Sequence, residues 1–173
     1  MTIKYNSSGT QIWATRYAHT SNLNDAPVKL IVQYPLGQPQ CVTVTGAVQT
    51  GTTAYSVGAI KYNCSTGAQI TATITSGGSS GINQVFDMVN DATGNIYIAG
   101  AIPVTGQGNN FCIIKLNTSL AVAWQQTYNG SANLDDMAKG IQVDASGNVY
   151  VTGYSTTTSQ GTNFVTLKYN SAG

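Results

Sequence analysis

Apolar and polar residues alternate along this chain in short runs, and each run ends at Gly, Asn, Asp or Ser. Residues 137–143 (MAKGIQV), 149–153 (VYVTG), 164–169 (FVTLKY) and 122–128 (VAWQQTY) have strand length and the period of a pleated surface. Between the first two lies Asp144-Ala145-Ser146-Gly147-Asn148, a tight turn with Gly and Asn where positive φ is needed. The polar stretch at 154–163 (YSTTTSQGTN) reads as a long loop.

The same order occurs earlier as VFDMVN, DATGN, IYIAG, a loop and FCIIKL. Lys4-Tyr5-Asn6 returns as Lys61-Tyr62-Asn63, Lys115-Leu116-Asn117 and Lys168-Tyr169-Asn170, after 57, 54 and 53 residues. From the Gly that closes the second run (Gly46, Gly100, Gly153) to the Lys is 15 residues each time. Two departures explain the uneven steps. QYPLGQPQ replaces the tight Asp turn in the first unit, and the NCSTGA turn carries one extra residue.

A repeat of this length signals an array. Four short antiparallel strands per unit predict an all-β chain, a β-propeller of three four-stranded blades in one domain over 1–173, with units near 4–60, 61–114 and 115–170. The coils of a parallel β-helix would be shorter, and a helical solenoid would need 3.6-residue periodicity.

The units DATGNIYIAG and DASGNVYVTGYS, followed by TLKYNSAG and a Trp-bearing strand, resemble the SBBP-type bacterial β-propeller repeat over essentially the whole chain. The family usually carries Asp before the aromatic of the third strand, where this chain has Ser56, Asn110 and Asn163. The resemblance implies a bacterial, mostly exported protein. It also implies a repeat with no established catalytic activity, and so a binding or scaffold module.

In propeller terms the chain opens with the third and fourth strands of a blade and closes with the first, second and third. The third strand is present twice, at 2–9 and 166–173. Such an arc would leave open faces and strand edges, which native proteins avoid. Two remedies follow: further blades of a longer chain, or a head-to-tail homodimer closing six blades by two-fold symmetry.

Composition narrows the partners. Charged residues are 8% of the chain, the net charge is +1, and all six acids are Asp. Four of the seven basic residues are the repeated Lys, so there is no basic patch for nucleic acid or an anionic surface. No apolar run reaches membrane-spanning length. The N-terminus has no apolar signal-peptide core and already lies inside a repeat, so the chain acts where it is made or was excised from a longer, exported polypeptide. Cys41, Cys64 and Cys112 lack metal-ligand spacing and read as small buried or turn residues.

Function in a propeller usually sits on the face that bears the loops into the first strand and between the second and third. Here that face takes residues 19–25, 76–83 and 129–136, with 47–56, 101–110 and 154–163. Asp25, Asn83 and Asp136 hold one equivalent position, and Asn24 and Asp135 flank two of them. A ring of such oxygens suits Ca²⁺ or sugar hydroxyls. The alternative is that each caps its own loop, which the recurrence of the position with the fold favours. His19, the one His, is a ligand-contact candidate on this face; it has no nucleophile beside it, and no Gly-x-Ser-x-Gly elbow occurs. Trp13 and Trp124 occupy equivalent outer positions and read as inter-blade packing, while Tyr5, Tyr62 and Tyr169 read as core.

The expectation is therefore a non-catalytic binding or assembly module for protein or glycan, with no catalytic residue and no cofactor beyond the Ca²⁺ alternative. The rival readings are a purely structural segment of a larger exported protein, and a polysaccharide-active enzyme built on Asp25, Asp135 and Asp136.

Overall fold

β-Branched and aromatic residues fill the runs between Gly- and Asn-bearing turns, and each run forms a strand. In order these are β1 (Thr2–Tyr5), β2 (Gln11–Thr15), β3 (Asp25–Gln33), β4 (Cys41–Gln49), β5 (Tyr55–Asn63), β6 (Gln69–Thr75) and β7 (Gln84–Asn90). They continue with β8 (Ile96–Val104), β9 (Gly108–Leu116), β10 (Val122–Tyr128), β11 (Asp136–Val143), β12 (Val149–Thr157) and β13 (Gly161–Tyr169). The elements come from a computed structural model that describes residues 1–19, 23–34, 40–75 and 83–173. Most of the QYPLGQPQ turn and of the loop at 76–83 lies outside the described residues.

The fold is all-β. Every strand pairs antiparallel with its chain neighbour, giving sheets β1–β2, β3–β4–β5–β6, β7–β8–β9–β10 and β11–β12–β13. Two sheets thus have four strands where three were expected. The remaining five strands are divided between the ends of the chain, as the duplicated third strand in the sequence requires. The predicted loops at 47–56, 101–110 and 154–163 are a second correction. Both flanking strands run on, with pairing from Ile96↔Leu116 out to Val104↔Gly108 in one sheet and from Val149↔Tyr169 out to Thr157↔Gly161 in another. Thr and Ser suit a paired edge as well as a loop, and only a short turn remains.

A bulge interrupts the first strand of each sheet from β3 onward at one equivalent place: between Pro27 and Lys29, Val85 and Asp87, and Ala138 and Gly140. The bulge presses a carbonyl onto the neighbouring strand. A Cβ on Gly46, Gly100 or Gly153 would lie 2.1, 2.0 or 1.9 Å from the oxygen of Ala26, Gln84 or Met137. That contact explains why Gly recurs there.

Apolar faces hold the sheets together. Ile96, Ile98, Ile114 and Leu116 pack with Val57 and Ala59 of the preceding sheet. From the other face of the same strands, Tyr97, Ala99, Phe111 and Ile113 pack with the following sheet. The repeated Lys adds a polar latch. Lys4 Nζ donates to Cys64 O, Lys61 Nζ to Thr118 O and Lys115 Nζ to Ser171 O, each reaching the turn beyond the third strand of the next sheet. Trp13 and Trp124 lie beside two of these latches, and their Nε1 atoms donate to Cys64 O and Ser171 O. Both therefore pack between sheets. Tyr62 is buried as expected, but Tyr5 is 55% exposed, since none of the described sheets covers that end of β1.

Candidate functional site

The end of each sheet where the first strand begins also carries the turn between the second and third strands, because the pairing is antiparallel. This end gathers the predicted site residues, each on its own sheet. Asn24 and Asp25 open β3. Asn24 accepts from the Gln49 backbone N–H through its carbonyl, and its own N–H donates to Gln49 Oε1. Asp25 is half-buried, and its Oδ1, shielded from solvent, accepts no hydrogen bond from a described residue. Asn83, next to β7, is buried, and its N–H donates to Tyr55 O. His19 is half-buried beyond β2.

Asp135 and Asp136 are adjacent but serve different contacts. Asp135 reaches the preceding sheet, where its Oδ1 accepts from Asn109 N and Nδ2, both at 2.9 Å. Its carbonyl accepts from Thr156 N and Oγ1. Asp136 is fully buried, and its Oδ2 accepts from the Gly130 N–H of its own loop. Its Oδ1 and the Asn129 Oδ1 are buried without a described partner. Among the described residues, no three His, Cys, Asp or Glu side chains converge in the manner of a metal site. Among the described residues, the buried side-chain oxygens here without a partner are single ones from Asp25, Asn110, Asn129 and Asp136.

A cleft of about 460 Å³ opens at the β1–β2 end of the molecule. Asn24 and Asp25 line it, with Tyr17 on one side and Val44, Ile60 and Tyr62 on the floor. Burial, followed by the nearby Asp25 carboxylate, pushes the Tyr17 hydroxyl above its ordinary pKa. His19 is not part of this lining.

The carboxylates Asp91 and Asp144 are occupied by their turns. Asp91 accepts from Thr93 N and Oγ1, Asn95 N and Nδ2, and Tyr97 OH, at 2.7–3.0 Å. Asp144 accepts from Ser146 N, Asn148 N and Nδ2, and Tyr150 OH. Asp87, which sequence reasoning passed over, joins three sheets. Its Oδ1 takes a salt bridge from Lys29 on β3, and its Oδ2 accepts from Ile141 N on β11 at 3.1 Å. Lys29, Asp87 and Gly140 share one repeat position, and a charge reversal between neighbouring units was the signal available for this contact.

No protein-family model matches the chain, and comparison with curated proteins finds no relative.

Proposed function

We propose that the chain is a β-propeller segment, an arc of stacked blades, that serves as a non-catalytic binding and assembly module. The observation that carries this reading is the equivalent Lys latch, which joins each sheet to the next at the same place. A contact that repeats with the sheets is what radial stacking of identical units demands. The β1–β2 and β11–β13 sheets supply complementary parts of one further blade, so two copies would close a six-bladed ring. The bacterial β-propeller repeat that the sequence resembles fits the same architecture.

The binding face is the end that carries the loop at 129–135 and the turns at 50–54, 105–107 and 158–160. Rigid ladders and the Asp135–Asn109 bonds hold these loops, which favours recognition of a protein or glycan without reorganisation. Asp87, Asp91, Asp135, Asp136 and Asp144 brace turns or join sheets, which favours a scaffold over a glycosidase. Ca²⁺ remains a ligand suited to the buried oxygens of Asp136 and Asn129.

Light scattering over a dilution series tests the arc: a mass of two 18.0 kDa chains is expected, and a single-chain mass at every concentration overturns ring closure. Glycan and peptide arrays test the face, using the chain against a variant with residues 131–134 replaced by Gly and Ser. Signal lost in the variant supports recognition through the loops. Signal equal in both moves the function to a structural role elsewhere in the ring.

A further inference from the structure

Phe164 and Tyr17 are the repeat counterparts of Phe111 and Tyr128. Phe164 precedes Lys168 by four residues as Phe111 precedes Lys115, and Tyr17 follows Trp13 by four as Tyr128 follows Trp124. Phe111 and Tyr128 stand directly opposite on β9 and β10, with ring centroids 5.4 Å apart in an edge-on contact. Phe111 is fully buried there, packed with Ala138, Ile141 and Val149 of the next sheet. Phe164 is 94% exposed. Tyr17 stands in the cleft at the opposite end of the molecule.

The surroundings match as well. The counterparts of Ala138, Ile141 and Val149 are Pro27, Leu30 and Val42 on β3 and β4. Pro27 lines the cleft, and Leu30 is 55% exposed. β10 pairs with β9 as far as Tyr128 opposite Phe111, and β1 pairs with β2 from Tyr5↔Gln11 to Thr2↔Thr15. One end of the molecule therefore presents an aromatic side chain on a free strand edge. The other presents its pairing partner and an apolar floor, with β1 as the strand now paired along β2.

We infer that the two halves of this aromatic pair meet between copies of the chain. β13 of one copy pairs antiparallel with β2 of a second in the β9–β10 register, placing Lys168 opposite Trp13 and Phe164 against Tyr17. β11 and β12 enter the cleft with it, and β1 of the second copy gives way. This inference rests on the ring-closure reading and specifies its joint. Exchange of β1 for β13 keeps the backbone groups of β2 paired, and the aromatic pocket fixes the register.

Two single-cysteine variants, Phe164→Cys and Tyr17→Cys, test the joint. The three native thiols are buried, and the unmodified chain under the same oxidation is the control. Residues directly opposite in an antiparallel pair lie close enough to cross-link. A disulfide joining residues 17 and 164, mapped by mass spectrometry and formed only when the variants are mixed, is expected. A third variant, Phe164→Asp, should halve the solution mass with an unchanged circular dichroism spectrum, since Phe164 is exposed in the single chain. A mass of two chains with no 17–164 link, unaffected by Phe164→Asp, overturns the strand exchange and leaves ring closure standing. A single-chain mass for the unmodified protein overturns both.

Discussion

Phe111 and Phe164 occupy the same position in consecutive repeats, yet one is wholly buried and the other is 94% exposed. Their strands differ little in pattern: FCIIKL against FVTLKY. The difference is the company they keep. β7–β10 has a sheet on each face, so β8 and β9 are buried almost residue for residue. β11–β13 is covered on one face only, and β12 and β13 alternate. Burial here is a property of the stack and not of the strand, and it leaves Phe164 on the uncovered face of an end sheet.

The largest test of that contrast is truncation of the two rings. Phe111→Ala should lower unfolding stability by about 3–5 kcal/mol, the usual consequence of emptying an aromatic site in a packed core. Phe164→Ala should leave the dilute, single chain unchanged in a denaturant titration. If Phe164 seals the proposed joint, a difference between Phe164→Ala and the parent should then appear as concentration rises. Equal losses in the two variants under dilute conditions would mean that Phe164 is already covered within one chain.

Glycines sharpen the same contrast on the backbone. Gly100→Ala in the central sheet puts a methyl group 2.0 Å from the Gln84 oxygen, so the two strands must part. An effect of about 3 kcal/mol is expected, at the upper end of overpacking. Gly161 has φ +70° and open space around its Cα. Gly161→Ala should therefore show only the left-handed backbone cost of about 1 kcal/mol. Thermal unfolding of the two variants side by side decides this, and a similar shift in both would argue against the close approach at the bulge.

The latch gives a smaller effect. Lys61→Met keeps the buried stem but removes the donor to Thr118 O, for an expected loss of about 1–2 kcal/mol. Lys168 is exposed and lies over the Tyr150 ring with its Nζ 5.1 Å from the centroid. Lys168→Met should stay within about 0.5 kcal/mol in the single chain. If the two losses are equal, the repeated Lys is retained for something other than joining sheets.

These contrasts also mark what could be read from the sequence. The repeat and its turn residues were enough to locate nearly every strand, because each unit contains its own hairpin signals. The stretch at 154–163 misled, since Thr and Ser are common in loops. Its pairing, Ser155 opposite Asn163, follows from the ladder begun at Tyr169 and not from composition. Asp87 was illegible for a related reason: its two partners, Lys29 and Ile141, belong to the sheets on either side. Asp25, Asp135 and Asp136 look like one carboxylate group in the sequence, yet Asp135 and Asp136 serve different contacts. Successive residues at the start of a strand face opposite ways, so one reaches Asn109 and the other turns into its own loop. The exposure of Phe164 could be deduced only once the order of sheets was known.

The smallest expected effect concerns acid, and it separates the central sheet from the last one once more. Partial burial pushes the Asp91 carboxyl up, but hydrogen bonds from Asn95, Thr93 and Tyr97 outweigh it and hold the group below its ordinary value of 3.8. Asp144 is held down chiefly by the Asn148 side chain and backbone, with Ser146 and Tyr150 assisting. A carboxylate depressed by folding contributes stability that is fully present above the unfolded pKa and lost as pH falls through the folded one. The loss therefore belongs below about pH 4. Tyr97, which donates to Asp91, is buried, while Tyr150, which donates to Asp144, is exposed, so solvent competes less at the first turn. Asp91→Asn should be less stable than the parent at pH 7. The difference should narrow by pH 3, as the parent protonates and loses what the variant never had. Asp144→Asn should follow the same course with a smaller change. Urea midpoints of the three proteins at the two pH values provide the measurement. A difference for Asp91→Asn that stays constant across that range would assign its effect to side-chain geometry and not to charge.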